Sequence, residues 1–267
     1  MKVGEAIVIT SGKGGVGKTT TTANIGTALA LSNHSVCLVD TDIGLRNLDV
    51  VMGLENRIIY DLVDVAEGRC KLKQALIKDK RFPSLFLLPA AQTKDKTAVT
   101  PEQMKQIIDE LKMDFDYVLI DCPAGIEQGY KNAVAGADKA IVVTTPEVSA
   151  VRDADRIIGL LEQEDIEPPK LVINRIRPQM MNSGDMLDID EITSVLAIEL
   201  LGIVVDDEEV IKHTNKGEPI ALHPNYKASI AYRNIARRIQ GESVPLMSLE
   251  ERKGMFAKVK KFFGMRG

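Results

Sequence analysis

The chain has no tryptophan, and aromatic residues make up only 4% of its 267 positions. It has three cysteines, three histidines and no apolar stretch approaching the ~20 residues needed to cross a bilayer. Each scarcity excludes a class. Cys37, Cys70 and Cys122 form no C-x-x-C pair and no Cys/His ligand set, so a zinc ribbon, an iron–sulfur carrier and a disulfide framework are not expected. Cys37 and Cys122 lie in apolar runs and read as buried reduced thiols, which fits a cytoplasmic protein. His34, His213 and His223 are scattered along the sequence and read as ordinary surface or core positions. Lys2 is followed directly by strand-like residues, unlike a signal peptide. The net charge is −4, so nothing overall points to nucleic acid. That charge is unevenly spread: residues 250–267 hold six Lys and Arg against two Glu, a local +4, which leaves −8 on the remainder.

Hydrophobic residues are 45% of the chain, enough for one large α/β domain. Short Val- and Ile-rich runs at 6–10, 36–40, 85–89, 117–121, 140–145, 171–174 and 202–205 read as strands buried on both faces. Helical segments are expected at 17–32, 101–112, 127–136, 149–164, 189–201 and 227–239. Thr100-Pro101-Glu102-Gln103 has the cap, proline and glutamine of a helix start. Alternation of this kind predicts a mostly parallel sheet flanked by helices on both faces, with ligands beyond the carboxyl ends of the strands. Residues 1–240 are read as the nucleotide-binding domain, 241–248 as a tether and 249–267 as a separate amphipathic helix.

The most informative segment is Gly12-Lys13-Gly14-Gly15-Val16-Gly17-Lys18-Thr19-Thr20, which follows the run Ala6-Ile7-Val8-Ile9 and opens a helical pattern. It fits G-x-x-x-x-G-K-S/T, the phosphate-binding loop, in the strand-then-helix context the motif needs. Glycines let successive N–H groups turn toward an anion, and the helix start adds its dipole. Lys18 is expected on the β- and γ-phosphates and Thr19 on Mg²⁺. Asp121 ends an apolar run and reads as the second Mg²⁺-binding carboxylate. Asp40 and Asp42, two apart at the end of another strand, suit the metal surroundings and the attacking water respectively; the other reading is that they cap a loop. Lys13 is not required by the basic motif. It is either a solvated lysine or a cation that reaches the phosphates of a second molecule.

At the far end, Met255, Phe256, Val259, Phe262 and Phe263 follow one helical stripe, with Arg252, Lys253, Lys258, Lys260 and Lys261 beside it. This pattern suits a helix lying in a membrane surface with its lysines toward anionic lipids; a helix docked on the protein itself or on a partner is the other reading.

With the second lysine at its start, the Lys13–Thr19 loop resembles the deviant Walker A motif of the ParA/MinD ATPases. Asp42-Ile43-Gly44-Leu45-Arg46-Asn47-Leu48-Asp49, Gln74-Ala75-Leu76-Ile77-Lys78-Asp79, Pro123-Ala124-Gly125-Ile126-Glu127 and Pro146-Glu147-Val148-Ser149-Ala150-Val151-Arg152-Asp153 narrow the likeness to the cell-division-site branch, over nearly the whole chain. The resemblance implies a P-loop fold, ATP and Mg²⁺, hydrolysis of ATP to ADP, and an ATP-bound homodimer with Lys13 crossing its interface and Asn47 at it. It implies Asp42 on the water, Asn174 on adenine, and Glu147, Ser149 and Asp153 toward partners: a MinC-type septum inhibitor, and a MinE-type activator or another topological factor. It also implies a peripheral place on the cytoplasmic face of the cell membrane, without nucleic acid. Val205 departs from the pattern, since proline is common there. Related alternatives are a ParA-type DNA-segregation ATPase, which would show a basic patch on its body, and a flagellar-number regulator, which would carry an extra N-terminal segment.

Overall fold

The computed structural model describes residues 3–126, 128–247 and Leu249. Its strands are β1 Glu5–Thr10, β2 Val36–Asp40, β3 Ile77–Lys78, β4 Leu85–Leu88, β5 Tyr117–Asp121, β6 Lys139–Thr144, β7 Lys170–Ile176 and β8 Glu199–Val205. They form one sheet in the order β3-β4-β2-β5-β1-β6-β7-β8, parallel throughout except for the β3–β4 pair. The helices are α1 Lys18–Leu31, α2 Leu48–Met52, α3 Leu62–Ala66, α4 Leu72–Ala75, α5 Pro101–Asp114, α6 Gln128–Val134, α7 Val148–Leu161, α8 Pro178–Ser183, α9 Ile189–Leu196, α10 Glu208–Thr214 and α11 Lys227–Ile239.

The continuous apolar runs have a direct cause. Along β1, Ala6 and Val8 enter one core while Ile7 and Ile9 enter the other. The same alternation sends Cys37 and Val39 one way and Val36 and Leu38 the other. Helices cover both faces, so the middle positions of these strands carry apolar side chains, and polar ones stand only at the strand ends, as Glu5, Thr10 and Asp40 do. α5 and α7 supply Ile107, Ile108, Ala154 and Ile157 to the first core; α1 and α11 supply Ile25, Leu29, Tyr232 and Ile235 to the second. α1 is buried along most of its length, which explains why it has no charged residue after Lys18.

The cap expected for α5 forms: the Thr100 hydroxyl accepts from the Gln103 N–H at 3.3 Å, and the Gln103 side chain accepts from the Thr100 N–H at 2.9 Å. The helix expected at 189–201 stops at Leu196. Ala197 adopts a left-handed φ of 51°, and Glu199 and Leu200 join β8 by pairing with Lys170 and Leu171 of β7. The helix expected at 149–164 runs from Val148 to Leu161, with Glu147 at its cap position. β3 and the short helices α2, α3, α4, α8 and α10 were not expected; four to seven residues are too few to establish a period, and β3 has only two. The segment expected as a tether is held to the body as far as it is described: Arg238 donates to the carbonyls of Val244 and Pro245 at 2.9 and 2.8 Å. The stripe of Met255, Phe256, Val259, Phe262 and Phe263 lies outside the described residues. Among the described residues no helix is long and apolar enough to cross a membrane.

One contact fixes the loops on one side of the site. Gly53 and Gly217, with φ of 65° and 66°, pass so close that a Cβ on Gly217 would lie 2.5 Å from the Gly53 Cα. Arg81 spans the junction, donating to the carbonyls of Gly217 and Met52 at 3.0 and 2.8 Å while its guanidinium pairs with buried Asp79. Gly217→Ala has neither the backbone freedom nor the space it needs; it should destabilise the protein by more than about 1 kcal/mol, read as a lower urea midpoint. An unchanged midpoint would mean that these loops separate at no cost.

Candidate active site

The turn from β1 into α1 is folded around Gly17, which caps α1 with φ of 100°. A Cβ there would lie 2.4 Å from the Asn174 Nδ2. That amide donates instead to the Val16 carbonyl at 2.8 Å, so β7 holds the loop from one side. Gly12 abuts the backbone of Asp153 in α7, which holds it from the other. The Lys18 ammonium is buried and donates to the Ser11 hydroxyl at 2.9 Å, and that hydroxyl donates to the Lys13 carbonyl at 2.8 Å. A cation and the start of α1, which includes Thr19 and Thr20, thus face the same turn, an arrangement suited to phosphate.

Asp40 and Asp121 end neighbouring strands and are direct partners in the β2–β5 register. Both are buried. The Asp40 carboxylate is used as a clamp: Oδ1 accepts from the Asp42 N–H at 2.9 Å, and Oδ2 accepts from the N–H groups of Asn47 and Leu48 at 3.1 and 3.0 Å. This ties down the whole turn that carries half-buried Asp42 and exposed Asn47. Asp121 Oδ1 accepts from the Thr22 hydroxyl at 3.2 Å, and Thr19 also bonds to this carboxylate. The Asp121 carbonyl accepts from both the N–H and the hydroxyl of Thr41, at 3.2 and 2.6 Å.

Burial raises the proton affinity of both acids. Asp121 is pushed up to about 8, with the nearby Asp40 charge adding to burial and with Thr19, Lys18 and Thr22 opposing it. Asp40 is raised by burial against the pull of its three backbone donors. Two buried carboxylates side by side, with a threonine hydroxyl on one of them, fit a divalent cation, whose charge would offset the cost of keeping both ionised. Thr19 and Asp121 would hold Mg²⁺ directly; Asp40, with its oxygens occupied, would act on it at a distance.

Lys13 points away from Lys18. Its Nζ lies 3.2 Å from Glu147 Oε2 and 3.0 Å from Ser149 Oγ, with 40% of its side chain exposed. Lys13 therefore meets Glu147 and Ser149 on one surface, and Asp153 follows on the same helix. Asn174 borders a cleft of about 1720 Å³ whose other walls include Thr20, Arg175, Val205, Asp207 and Leu249. Asp207 caps α10 at the cleft, its side chain accepting from the Glu209 N–H at 3.0 Å. The sequence reading missed Ser11 and Thr22. A hydroxyl before the first loop glycine and the last of four consecutive threonines carried no distinguishing pattern; their roles come from the close approach of Lys18 and Asp121.

Both acids bind protons more tightly in the fold than in the unfolded chain, so without ligand the folded state holds the extra protons between the ordinary carboxylate range and about 8. Stability therefore falls as pH rises through that window. Asp121→Asn removes much of this dependence. It should melt higher than the parent near pH 8, with the gap closing as pH falls toward 4, in fluorimetric melts without nucleotide. Parallel curves at every pH would show that the pair carries no burial cost.

Comparison with known proteins agrees with this geometry. Residues 7–220 match the family described as the CobQ/CobB/MinD/ParA nucleotide binding domain. The chain is 76% identical to the septum site-determining protein MinD of Bacillus subtilis, over 99% of this chain and 100% of that one. Among solved structures, the MinD of the MinC:MinD cell division protein complex from Aquifex aeolicus is 51% identical, with a TM-score of 0.85 over 91% of this chain and 98% of that chain. MinD from Pyrococcus horikoshii, solved with Mg-ADP, is 30% identical, with a TM-score of 0.81 over 88% and 95%. Phosphate loop, acid pair, sheet order and likeness along nearly the full length lead to one assignment: the chain belongs to the CobQ/CobB/MinD/ParA nucleotide-binding family, in its septum site-determining MinD branch.

Proposed function

We propose that this chain is an Mg²⁺-dependent ATPase that pairs with a second copy when ATP is bound, lies on the cytoplasmic face of the cell membrane in that state, and positions the division site by recruiting a MinC-type inhibitor. The observation that carries the reading is the placement of Lys13. It stands at the outer rim of a built phosphate site, on a surface shared with Glu147 and Ser149, instead of joining Lys18 inside.

The residues divide the work. Lys18 and the loop N–H groups from Gly14, Gly15, Val16, Gly17, Thr19 and Thr20 bind and orient the phosphates. Mg²⁺, held by Thr19 and Asp121, supplies neutralisation of charge on the phosphoryl oxygens. Asp42 orients the attacking water, and Asp40 fixes the turn that places Asp42. Lys13 leaves its exposed partners and reaches the phosphates of the second copy. Asn174 lies on the base side of the loop. Leu45, Ile126 and Val148 are exposed apolar residues in the segments after β2, β5 and β6, the side on which Asn47 also lies; that composition suits a covered interface. A MinE-type activator or another topological factor would act through the α7 surface of Ser149 and Asp153. The Aquifex complex named above supports the MinC-type partner.

The 249–267 segment supplies the lipid contact. One short amphipathic helix binds anionic lipid weakly, whereas two tethered in a dimer gain a factor of roughly 10²–10⁴ if both reach the surface. The −8 carried outside residues 250–267 disfavours the DNA-segregation reading. Cys37 and Cys122 are buried, which disfavours a bridging-cluster carrier.

Lys13→Gln should remain monomeric with ATP in light scattering, lower turnover by roughly 10³-fold as loss of a trans cation does in other phosphate-loop enzymes, and fail to sediment with anionic vesicles. A Lys13→Gln protein that still pairs and hydrolyses would remove the reading's central step. Truncation before Leu249 should abolish sedimentation while leaving ATP-dependent pairing intact; retained sedimentation would place the lipid contact elsewhere.

A further inference from the structure

Two of the three histidines, far from a recognisable motif in sequence, meet at one point. His213 lies near the end of α10, the chain reverses at Gly217, and His223 follows the short 3-10 turn Ile220–Leu222. Glu218 stands between them. Its Oε2 is 3.4 Å from His213 Nδ1 and 3.5 Å from His223 Nε2, and one ligand atom from each of the three residues lies within 4.8 Å of the others. The rings lie close and tilted, with centroids 3.9 Å apart and planes at 32°. His213 is buried, and the Nε2 of His223 is itself buried with Glu218 Oε2 as its facing group. The second ring nitrogen of His213 faces Glu209 Oε2 at 3.9 Å.

Those separations suit a metal centre. A tetrahedral cation with ligand bonds of about 2.0–2.1 Å sets its ligand atoms roughly 3.4 Å apart. Two imidazoles and one carboxylate favour a borderline divalent ion over Mg²⁺, which prefers an all-oxygen shell. A carboxylate behind the outer nitrogen of a ligating histidine is the usual means of fixing its ring.

We propose that His213, Glu218 and His223 form a binding site for a divalent cation of the Zn²⁺ class, separate from the nucleotide's Mg²⁺. His213 binds through Nδ1 and His223 through Nε2, Glu218 through one oxygen, and water completes the shell. Glu209 orients His213. The site braces a part of the fold that borders the cleft. α10 contributes Glu208, Val210 and Thr214 to the cleft wall, while the Ala221 N–H of the same turn donates to Asn24 of α1 at 2.8 Å. A bound ion ties the end of α10 to the chain leading into α11.

The test is a CoCl₂ titration of the chelator-treated full chain without nucleotide, followed by displacement with ZnCl₂. One Co²⁺ per chain should give the intense visible absorption of a four-coordinate centre. Binding should weaken at least about tenfold in His223→Gln and in Glu218→Gln, and stay unchanged in His34→Gln and Cys70→Ser. ZnCl₂ should raise the melting temperature of the parent and not of His223→Gln. Glu218 has a side chain 44% exposed, so Glu218→Gln carries the test if the His223 variant does not fold. No stoichiometric binding, or equal binding in parent and both ligand variants, would overturn the site; so would binding lost only in Cys70→Ser, which would place the ion on the thiol. The proposal does not rest on dimerisation or lipid contact, and its failure would leave both untouched.

Discussion

The adjacency of Asp40 and Asp121 sets two buried carboxylates side by side at the ends of neighbouring strands, and this is costly. Burial makes each harder to ionise; the Asp40 charge adds to this at Asp121, and the Asp42 charge adds to it at Asp40. The surroundings share the load. Asp40 is satisfied by three backbone N–H groups and becomes a structural anchor, while Asp121 receives hydroxyls from α1 and lies near the Lys18 charge. The result is a division of labour between chemically identical side chains: one organises a loop, the other remains open to a cation.

Parallel pairing makes this division possible. Strands β1, β2, β5, β6 and β7 run the same way, so the loops leaving them open on one edge of the sheet. The phosphate loop, the Asp42 turn, the segment after Asp121, the start of α7 and the Asn174 wall of the cleft are neighbours for that reason. Helices on both faces make the strands rigid, and side chains such as Ile9, Leu38 and Leu119 pack without exposure beneath the site.

Much of this was legible from residue order. The runs of Val and Ile marked buried parallel strands because both faces are covered. The phosphate loop could be recognised because its glycines, lysine and threonine are contiguous, and the α5 cap because its signals span four residues. What escaped was set by contacts between distant segments. Ser11 and Thr22 matter only because Lys18 and Asp121 come to them. The early end of α9 depends on Ala197 turning left-handed so that Glu199 can pair with β7. The meeting of His213 and His223 required a reversal at Gly217 that ligand spacing in sequence does not encode. The clamp formed by Asp40 was equally hidden, because its donors are backbone groups and leave no mark on side-chain identity.

The Lys13–Glu147 pair lies in solvent, with more than half of the Glu147 side chain exposed. Such a pair holds its partners by no more than about 1 kcal/mol, and exposed side chains change rotamer within picoseconds to nanoseconds. The ammonium therefore sweeps the space in front of the loop far faster than two proteins diffuse into register. Its swing outward is never the slow event: any delay in an encounter with another molecule belongs to collision and surface fit.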